Sequence, residues 1–308
     1  MNGEIGIFLD PYASKEVVRF VKDFTSQHTG RVVSEARQLP QLDDCKLILI
    51  GGGDGTANKV VSHLYNSGAE YHIGLLPSGT NHIFYNNLLQ IARQTPEQFV
   101  KPRQEGTLRP SYFHPGKFGE HLFLVDCGTG TLEIAIGNLN KRYRWVPGAI
   151  RSKLIPVLSY LNTLKPSDDV TLNIFSTSPY LGVVKAFPNQ KVDNSRSLTH
   201  AWIEGRLKAV RLNKLLITLA CWSRGIVPPQ SILKTEQVNT DCDAMQGQSL
   251  WVDGDTIEIR QDAGMQVKVR RERRVFEIVA IDLSLPKGQQ IQPNSNKPYP
   301  NGFRQHTR

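Results

Sequence analysis

The stretch Lys46-Leu47-Ile48-Leu49-Ile50-Gly51-Gly52-Gly53-Asp54-Gly55-Thr56-Ala57-Asn58 decides how the rest of the chain is read. Lys46–Ile50 is apolar without alternation after its first residue, the pattern of a strand covered on both faces. It runs straight into glycines and then into a helix carrying Val60, Val61 and Leu64, which Gly68 can close. Glycines after a buried strand let backbone amides come close to a phosphate, because no Cβ intervenes. A helix starting near Thr56 adds its N-terminal amides and the positive end of its dipole. Asp54 in the same loop would repel a phosphate unless a divalent cation lay between the two. The plain alternative is a glycine-rich strand-to-helix turn with Asp54 as a cap.

Outward from this stretch the order is regular. Glu4–Leu9 reads as a short buried strand, and Ser14 as the N-cap of a helix with Val17, Val18, Phe20, Val21 and Phe24 on one face. Ile73–Leu76 is a third strand, ending in a second glycine loop, Pro77-Ser78-Gly79-Thr80. Strands alternating with helices imply a parallel sheet with helices on its faces, and ligands bind there at loops following the strand C-termini. Past residue 110 the texture becomes β-rich, with strands expected at Phe118–Asp126, Val170–Ser176, Thr199–Lys208, Leu250–Val252, Thr256–Arg260 and Val267–Arg271. Val252-Asp253-Gly254-Asp255 carries a hairpin-turn signal. Ile150–Leu164 reads as an amphipathic helix, and Lys214–Trp222 is ambiguous between helix and strand. The expected architecture is an α/β N-terminal domain with a parallel sheet (1–110) followed by a mostly antiparallel β domain (111–284), whose last part can return to the first domain. The tail 285–308 has basic residues, Pro, Asn, Gln and Gly but no acid, and is expected to be disordered.

Length and composition agree with two domains: 308 residues, 39% hydrophobic. Lys and Arg number 37 against 28 Asp and Glu, a formal net charge of +9 that favours anionic partners. No stretch approaches the roughly 20 apolar residues of a bilayer span. The longest candidate, Leu212–Trp222, is broken by Asn213, Lys214 and Thr218. The first residues lack the basic start of a signal peptide, and the 4 cysteines (Cys45, Cys127, Cys221, Cys242) form no C-x-x-C pair. A reduced, cytoplasmic protein is the expectation. Lys141–Trp145 and Lys268–Arg274 are basic runs, read first as solvated faces; no nucleic-acid motif accompanies them, and no nucleic-acid partner is expected.

Two familiar phosphate motifs do not match. No Gly-Lys-Ser/Thr of a P-loop occurs, and Thr56 fills the third glycine place of a dinucleotide fingerprint. Gly52-Gly53-Asp54-Gly55-Thr56-Ala57-Asn58 followed by Leu76-Pro77-Ser78-Gly79-Thr80 instead resembles the catalytic domain of the diacylglycerol/sphingosine lipid kinase family. Its GGDGT-type loop also occurs in NAD kinases and 6-phosphofructokinases. Asp10-Pro11 resembles the family's Asn-Pro after the first strand, Cys127-Gly128-Thr129-Gly130 its glycine turn, and Val252-Asp253-Gly254-Asp255 its late Asp-Gly-Glu motif. The resemblance covers about residues 4 to 275 in order.

The resemblance implies two domains with the active site in the cleft between them. Gly52, Gly53, Asp54, Gly55, Thr56, Pro77, Gly79, Thr80 and Asp10 would hold ATP, with magnesium at Asp54. Asp255 would act as general base on a lipid hydroxyl, giving phosphoryl transfer from ATP to a lipid alcohol. The basic charge would suit peripheral contact with an anionic membrane, and a homodimer is compatible with the sequence. The departures from the family are specific. Lys59 stands where it has Glu, Asn81-His82-Ile83 replaces x-Asn-Asp, Asp255 replaces a Glu, and Asp193-Asn194-Ser195 stands for an Asp-Asp-Gly loop. They keep open a catalytically impaired nucleotide- or lipid-binding regulator. NAD kinase ranks lower, since the Asn-Glu pair of that family does not occur.

Overall fold

The computed structural model describes residues 5–68, 71–78, 83–94, 111–130, 142–143, 146, 173–178, 180–181, 184–185, 197–202, 233–239, 241–245, 249–258, 266–281 and 283. The expected helix Ile150–Leu164, the ambiguous segment Lys214–Trp222 and the tail 285–308 lie outside these residues.

The chain opens with β1 (Ile5–Leu9), α1 (Lys15–Gln27), β2 (Gly30–Val33), a 3-10 segment (Ala36–Leu42), β3 (Leu47–Gly52), α2 (Asp54–Ser67), β4 (His72–Pro77) and α3 (Ile83–Gln94). Its described β-rich part comprises β5 (Ser111–Phe113), β6 (Gly116–Phe118), β7 (His121–Phe123), β8 (Asp126–Thr129), β9 (Asn173–Ser176), β10 (Tyr180–Leu181) and β11 (Val184–Lys185). There follow β12 (Leu198–Trp202), β13 (Lys234–Val238), β14 (Cys242–Met245), β15 (Ser249–Val252), β16 (Asp255–Glu258), β17 (Gln266–Arg271) and β18 (Phe276–Ala280).

The first sheet has the order β2-β1-β3-β4-β18-β5. Its first five strands are mutually parallel, and only β5 runs antiparallel, against β18. Alternation along β3 explains the layers. Leu49 faces α1, packing with Val17, Val21 and Phe24, whereas Ile48 and Ile50 face the other side with Val60, Val61 and Leu64 of α2 and Phe84 and Leu88 of α3. The helix signals read from sequence hold at both ends. Ser14 caps α1 by accepting from the Val17 amide, and Gly68 closes α2 in the left-handed region at φ 76°.

The remaining strands form a sheet β13-β12-β9-β8-β15-β16, a smaller one, β14-β17-β6-β7, and the separate pair β10-β11, all antiparallel throughout. One apolar cluster joins the first two: Phe118 and Val269 come from the smaller sheet, Cys127, Phe175, Leu198, Leu250 and Val252 from the larger. The continuous strand expected over Phe118–Asp126 is instead a hairpin edge, β6 turning into β7, and then a new strand. Gly119 at φ 55° makes that turn, a conformation in which glycine carries no steric penalty. The chain thus passes from β5 into the antiparallel sheets and returns at β18 to lie between β4 and β5.

Candidate active site

Everything begins at the end of β3. Gly51 and Gly52 are its last residues, paired with Leu76 and Pro77 of β4, so both glycine loops leave the sheet side by side. Gly53 is the N-cap of α2, in extended conformation, and being glycine it offers that helix no side-chain cap. The first amides of a helix have no partner within it. An uncapped N-terminus behind a run of glycines is therefore a place for an anion. A Cβ on Gly52 would collide with the Thr56 side chain, and one on Gly51 would meet Val17 at 2.9 Å and Leu9 at 3.0 Å. Glycine is needed here for close packing.

Asp54 serves the fold in a way that the sequence reading did not anticipate. Its two carboxylate oxygens accept from the amides of Ile83 (3.2 Å) and Phe84 (3.0 Å), the first residues of α3. Burial holds its carboxyl above the ordinary Asp range, and the two amides pull it partly back. A residue of the first glycine loop thus anchors the helix that follows the second. Gly79 and Thr80 lie outside the described residues. Pro77 ends β4, and Ser78 Oγ accepts from the Ser14 amide at 3.0 Å, tying β4 to the start of α1.

Asp10 closes the loop from the β1 side. One oxygen accepts from the Tyr12 amide at 2.8 Å and the other from the Thr56 hydroxyl, while the Asp10 amide donates to Gly51 O at 2.8 Å. Asp10, Gly51 and Thr56 are thereby fixed to one another.

The third element is the turn between β15 and β16. Asp253 (φ 46°) and Gly254 (φ 92°) are both left-handed, as the Asp-Gly signal for a tight hairpin requires. Asp253 is buried, and its carboxylate collects four donors. They are the amides of Leu124 (2.6 Å), Val125 (2.8 Å) and Asp126 (2.9 Å), and Asn58 Nδ2 on α2 (2.7 Å). Burial and the neighbouring Asp126 push its carboxyl up to about 8, opposed by the three amides. Asn58 also donates to Leu122 O at 2.8 Å. The helix after the glycine loop is thus fastened to the antiparallel part of the chain. Sequence reasoning weighed Asp253 only as part of a turn; Asp-Gly marked the backbone geometry, but nothing local marked the donors.

Asp255, the expected base, lies against α2. A Cβ on Gly55 would sit 3.2 Å from both Asp253 O and Asp255 Oδ2. Its other neighbour is Lys59, whose Nζ lies 2.8 Å from Oδ2. The lysine that departs from the family pattern therefore contacts another of the departing residues. By contrast, the run Lys268–Arg274 is only partly the solvated face expected. Lys268 and Arg270 are exposed, but Arg271 is buried, donates to Thr177 O at 3.0 Å and lies over the Phe113 ring. Glu272 accepts from Tyr65 and Arg270, and Arg274 lies over Tyr65 and Phe276.

The glycine cradle and uncapped helix fit a nucleotide polyphosphate. A magnesium held by the protein is not fitted in the same way. Among the described residues no group of three or more His, Cys, Asp or Glu gathers as a metal site. Asp54 is committed to α3, Asp10 to Thr56 and Tyr12, and Asp255 to Lys59. Among the described residues, no helix is long and apolar enough to cross a membrane.

Residues 10–111 match the model of the diacylglycerol kinase catalytic domain. A protein from Bacillus anthracis str. Sterne, assigned as a diacylglycerol kinase, has the same fold at a TM-score of 0.59. It is 12% identical, and the match covers 90% of this chain and 95% of that one. A further diacylglycerol kinase structure from that organism matches at a TM-score of 0.55 and 12% identity, over 92% and 99% of the two chains. An NAD kinase from Archaeoglobus fulgidus in complex with ATP reaches only 0.41, at 11% identity over 93% and 95%, too distant to carry an argument. No curated protein matches the sequence.

Proposed function

We propose that the protein is a lipid kinase, transferring the terminal phosphate of ATP to the hydroxyl of a diacylglycerol-like or related lipid alcohol. The observation that carries this reading is the position of the Asp255 carboxylate. It lies beside Gly55 in the first turn of an uncapped helix whose loop belongs to a kinase family domain. Phosphoryl transfer asks little covalent chemistry of a protein; it asks for placed phosphates, neutralised charge and an oriented acceptor. The first amides of α2 and the glycines before it would hold the phosphates, and Gly79 and Thr80 would complete the cradle. Asp255 would take the proton of the lipid hydroxyl as its oxygen attacks phosphorus, with ADP leaving. A positioned base contributes about 10²–10⁴-fold to such a step. Magnesium would arrive with the nucleotide, where phosphate oxygens and water supply most of its ligands.

The formal charge of +9 supports transient contact with an anionic membrane, where the acceptor lipid resides. A cytoplasmic enzyme visiting the bilayer surface is the setting this reading implies. The test is labelled ATP with magnesium and vesicles containing diacylglycerol, ceramide, sphingosine or monoacylglycerol. Label in one lipid, lost in Asp255→Ala, is expected; no lipid-borne label with any acceptor refutes the lipid-kinase reading. The Lys59–Asp255 ion pair favours one second reading, a nucleotide-binding regulator whose base is permanently occupied. It would bind ATP with no turnover on any acceptor.

A further inference from the structure

Lys59 gives that ion pair a purpose. It lies four residues beyond Gly55 on α2, hence on the same helix face and one turn further from the N-terminus. Its Nζ is 2.8 Å from Asp255 Oδ2, and that oxygen is 3.2 Å from the Cβ position of Gly55. The ammonium therefore lies no more than about 6.0 Å from the first turn of α2, whose amides form the phosphate cradle. The pair is not built for stability. The two side chains are 55% and 32% exposed, and ion pairs so open to water add little to folding.

Electrostatics at the loop explain why a cation is needed there. Asp10, Asp54 and Asp255 all border the glycine turn. The first two have their carboxylates occupied by backbone amides and a hydroxyl; of the three, Asp255 is the one held by a charged, solvent-exposed side chain. A polyphosphate entering the cradle would meet the Asp255 carboxylate as a like charge. It would also offer Lys59 a stronger partner than one carboxylate.

We propose that Lys59 is a phosphate-binding residue that the incoming nucleotide draws off Asp255, so that the carboxylate becomes able to accept a proton only when nucleotide is in place. In the empty protein Lys59 screens Asp255. In the loaded protein its ammonium holds the terminal phosphate, and Asp255 faces the acceptor hydroxyl unpaired. This rests on the lipid-kinase reading and adds to it: the free protein keeps its base locked, and nucleotide must bind before the acceptor is activated. Lysine in the place of the family's Glu is then a working part of the site.

The experiment is calorimetric titration of ATP, and separately of inorganic tripolyphosphate, into the full chain without lipid. Lys59→Met should weaken both ligands roughly ten- to a hundredfold, the range of a lost charge-assisted hydrogen bond. Lys59→Arg should stay within about threefold, since it keeps the cation. Asp255→Asn should bind both ligands several-fold more tightly, because Lys59 no longer has a competing partner. A pair with a merely structural role would leave both variants unchanged or weaken both. Affinities of Lys59→Met and Lys59→Gln within twofold of the parent, or weaker binding by Asp255→Asn, overturn the proposal and leave the kinase reading standing. Absence of ATP binding by the parent protein overturns both.

Discussion

Replacing Asn58 by alanine tests the claim that α2 is fastened to the antiparallel part of the chain through one side chain. The Nδ2 group donates at 2.8 Å to Leu122 O and at 2.7 Å to Asp253 Oδ2. Asn58→Ala leaves both acceptors without that donor in a site where Asp253 is buried. A neutral hydrogen bond is worth about 0.5–1.5 kcal/mol and one to a charged group about 1.5–3 kcal/mol. Alanine returns up to about 0.7 kcal/mol as a better helix former. Measured above the Asp253 titration at about 8, where its carboxylate is charged, the expected net loss is about 2–3 kcal/mol in urea unfolding, read as a lower midpoint with unchanged slope. Asn58→Asp should cost more, because it sets a second carboxylate against Asp253. Ser62→Ala, which removes only a 3.3 Å contact to Asn58 Oδ1, should change little. A loss below about 1 kcal/mol for Asn58→Ala, or Asn58→Asp as stable as the parent, would refute the reasoning.

Other expectations follow from the same geometry. Asp54→Asn should lower stability by about 0.5–2 kcal/mol, because an amide can accept from only one of the Ile83 and Phe84 amides; a residue acting solely as a metal ligand would leave the unfolding midpoint unmoved and weaken only magnesium-dependent nucleotide binding. Gly55→Ala should weaken ATP binding with a modest stability loss of about 1 kcal/mol, since its Cβ would press on Asp253 O and Asp255 Oδ2 at 3.2 Å; calorimetry and unfolding together check it. Asp253 resists ionisation in the fold up to about 8, whereas the unfolded chain ionises near the ordinary value. Its contribution is therefore fully present at acid pH and lost as pH rises from about 4 to about 8. Urea midpoints across that window should fall with a slope that Asp253→Asn reduces.

What the sequence revealed was local. Lys46–Ile50 named a buried strand, Ser14 a cap and Gly68 a stop, because each signal lies within one helical turn or strand of its effect. Asp253-Gly254 likewise announced its turn. The hidden parts depend on partners far away in the chain. Asp54 caps a helix that begins beyond the second glycine loop, and Asp253 gathers amides from residues 124–126, a pairing that no spacing encodes. Lys59 stood out as a departure from the family, but only the folded chain shows that it touches Asp255. The run Lys268–Arg274 misled for a related reason: in a strand, alternate charges point to opposite faces, and one face here is interior.

The return of β18 to the first sheet has a consequence for how the protein is made. On a ribosome, β1 through β4 emerge early, yet the strand that pairs with β4 and carries β5 on its far side is synthesised only after the antiparallel sheets. Until residues 276–280 arrive, β4 presents an open parallel edge with unsatisfied backbone groups, the kind that recruits stray strands. Truncation near residue 111 would therefore leave an unfinished sheet, and nascent chains stalled before Phe276 should depend most heavily on chaperones.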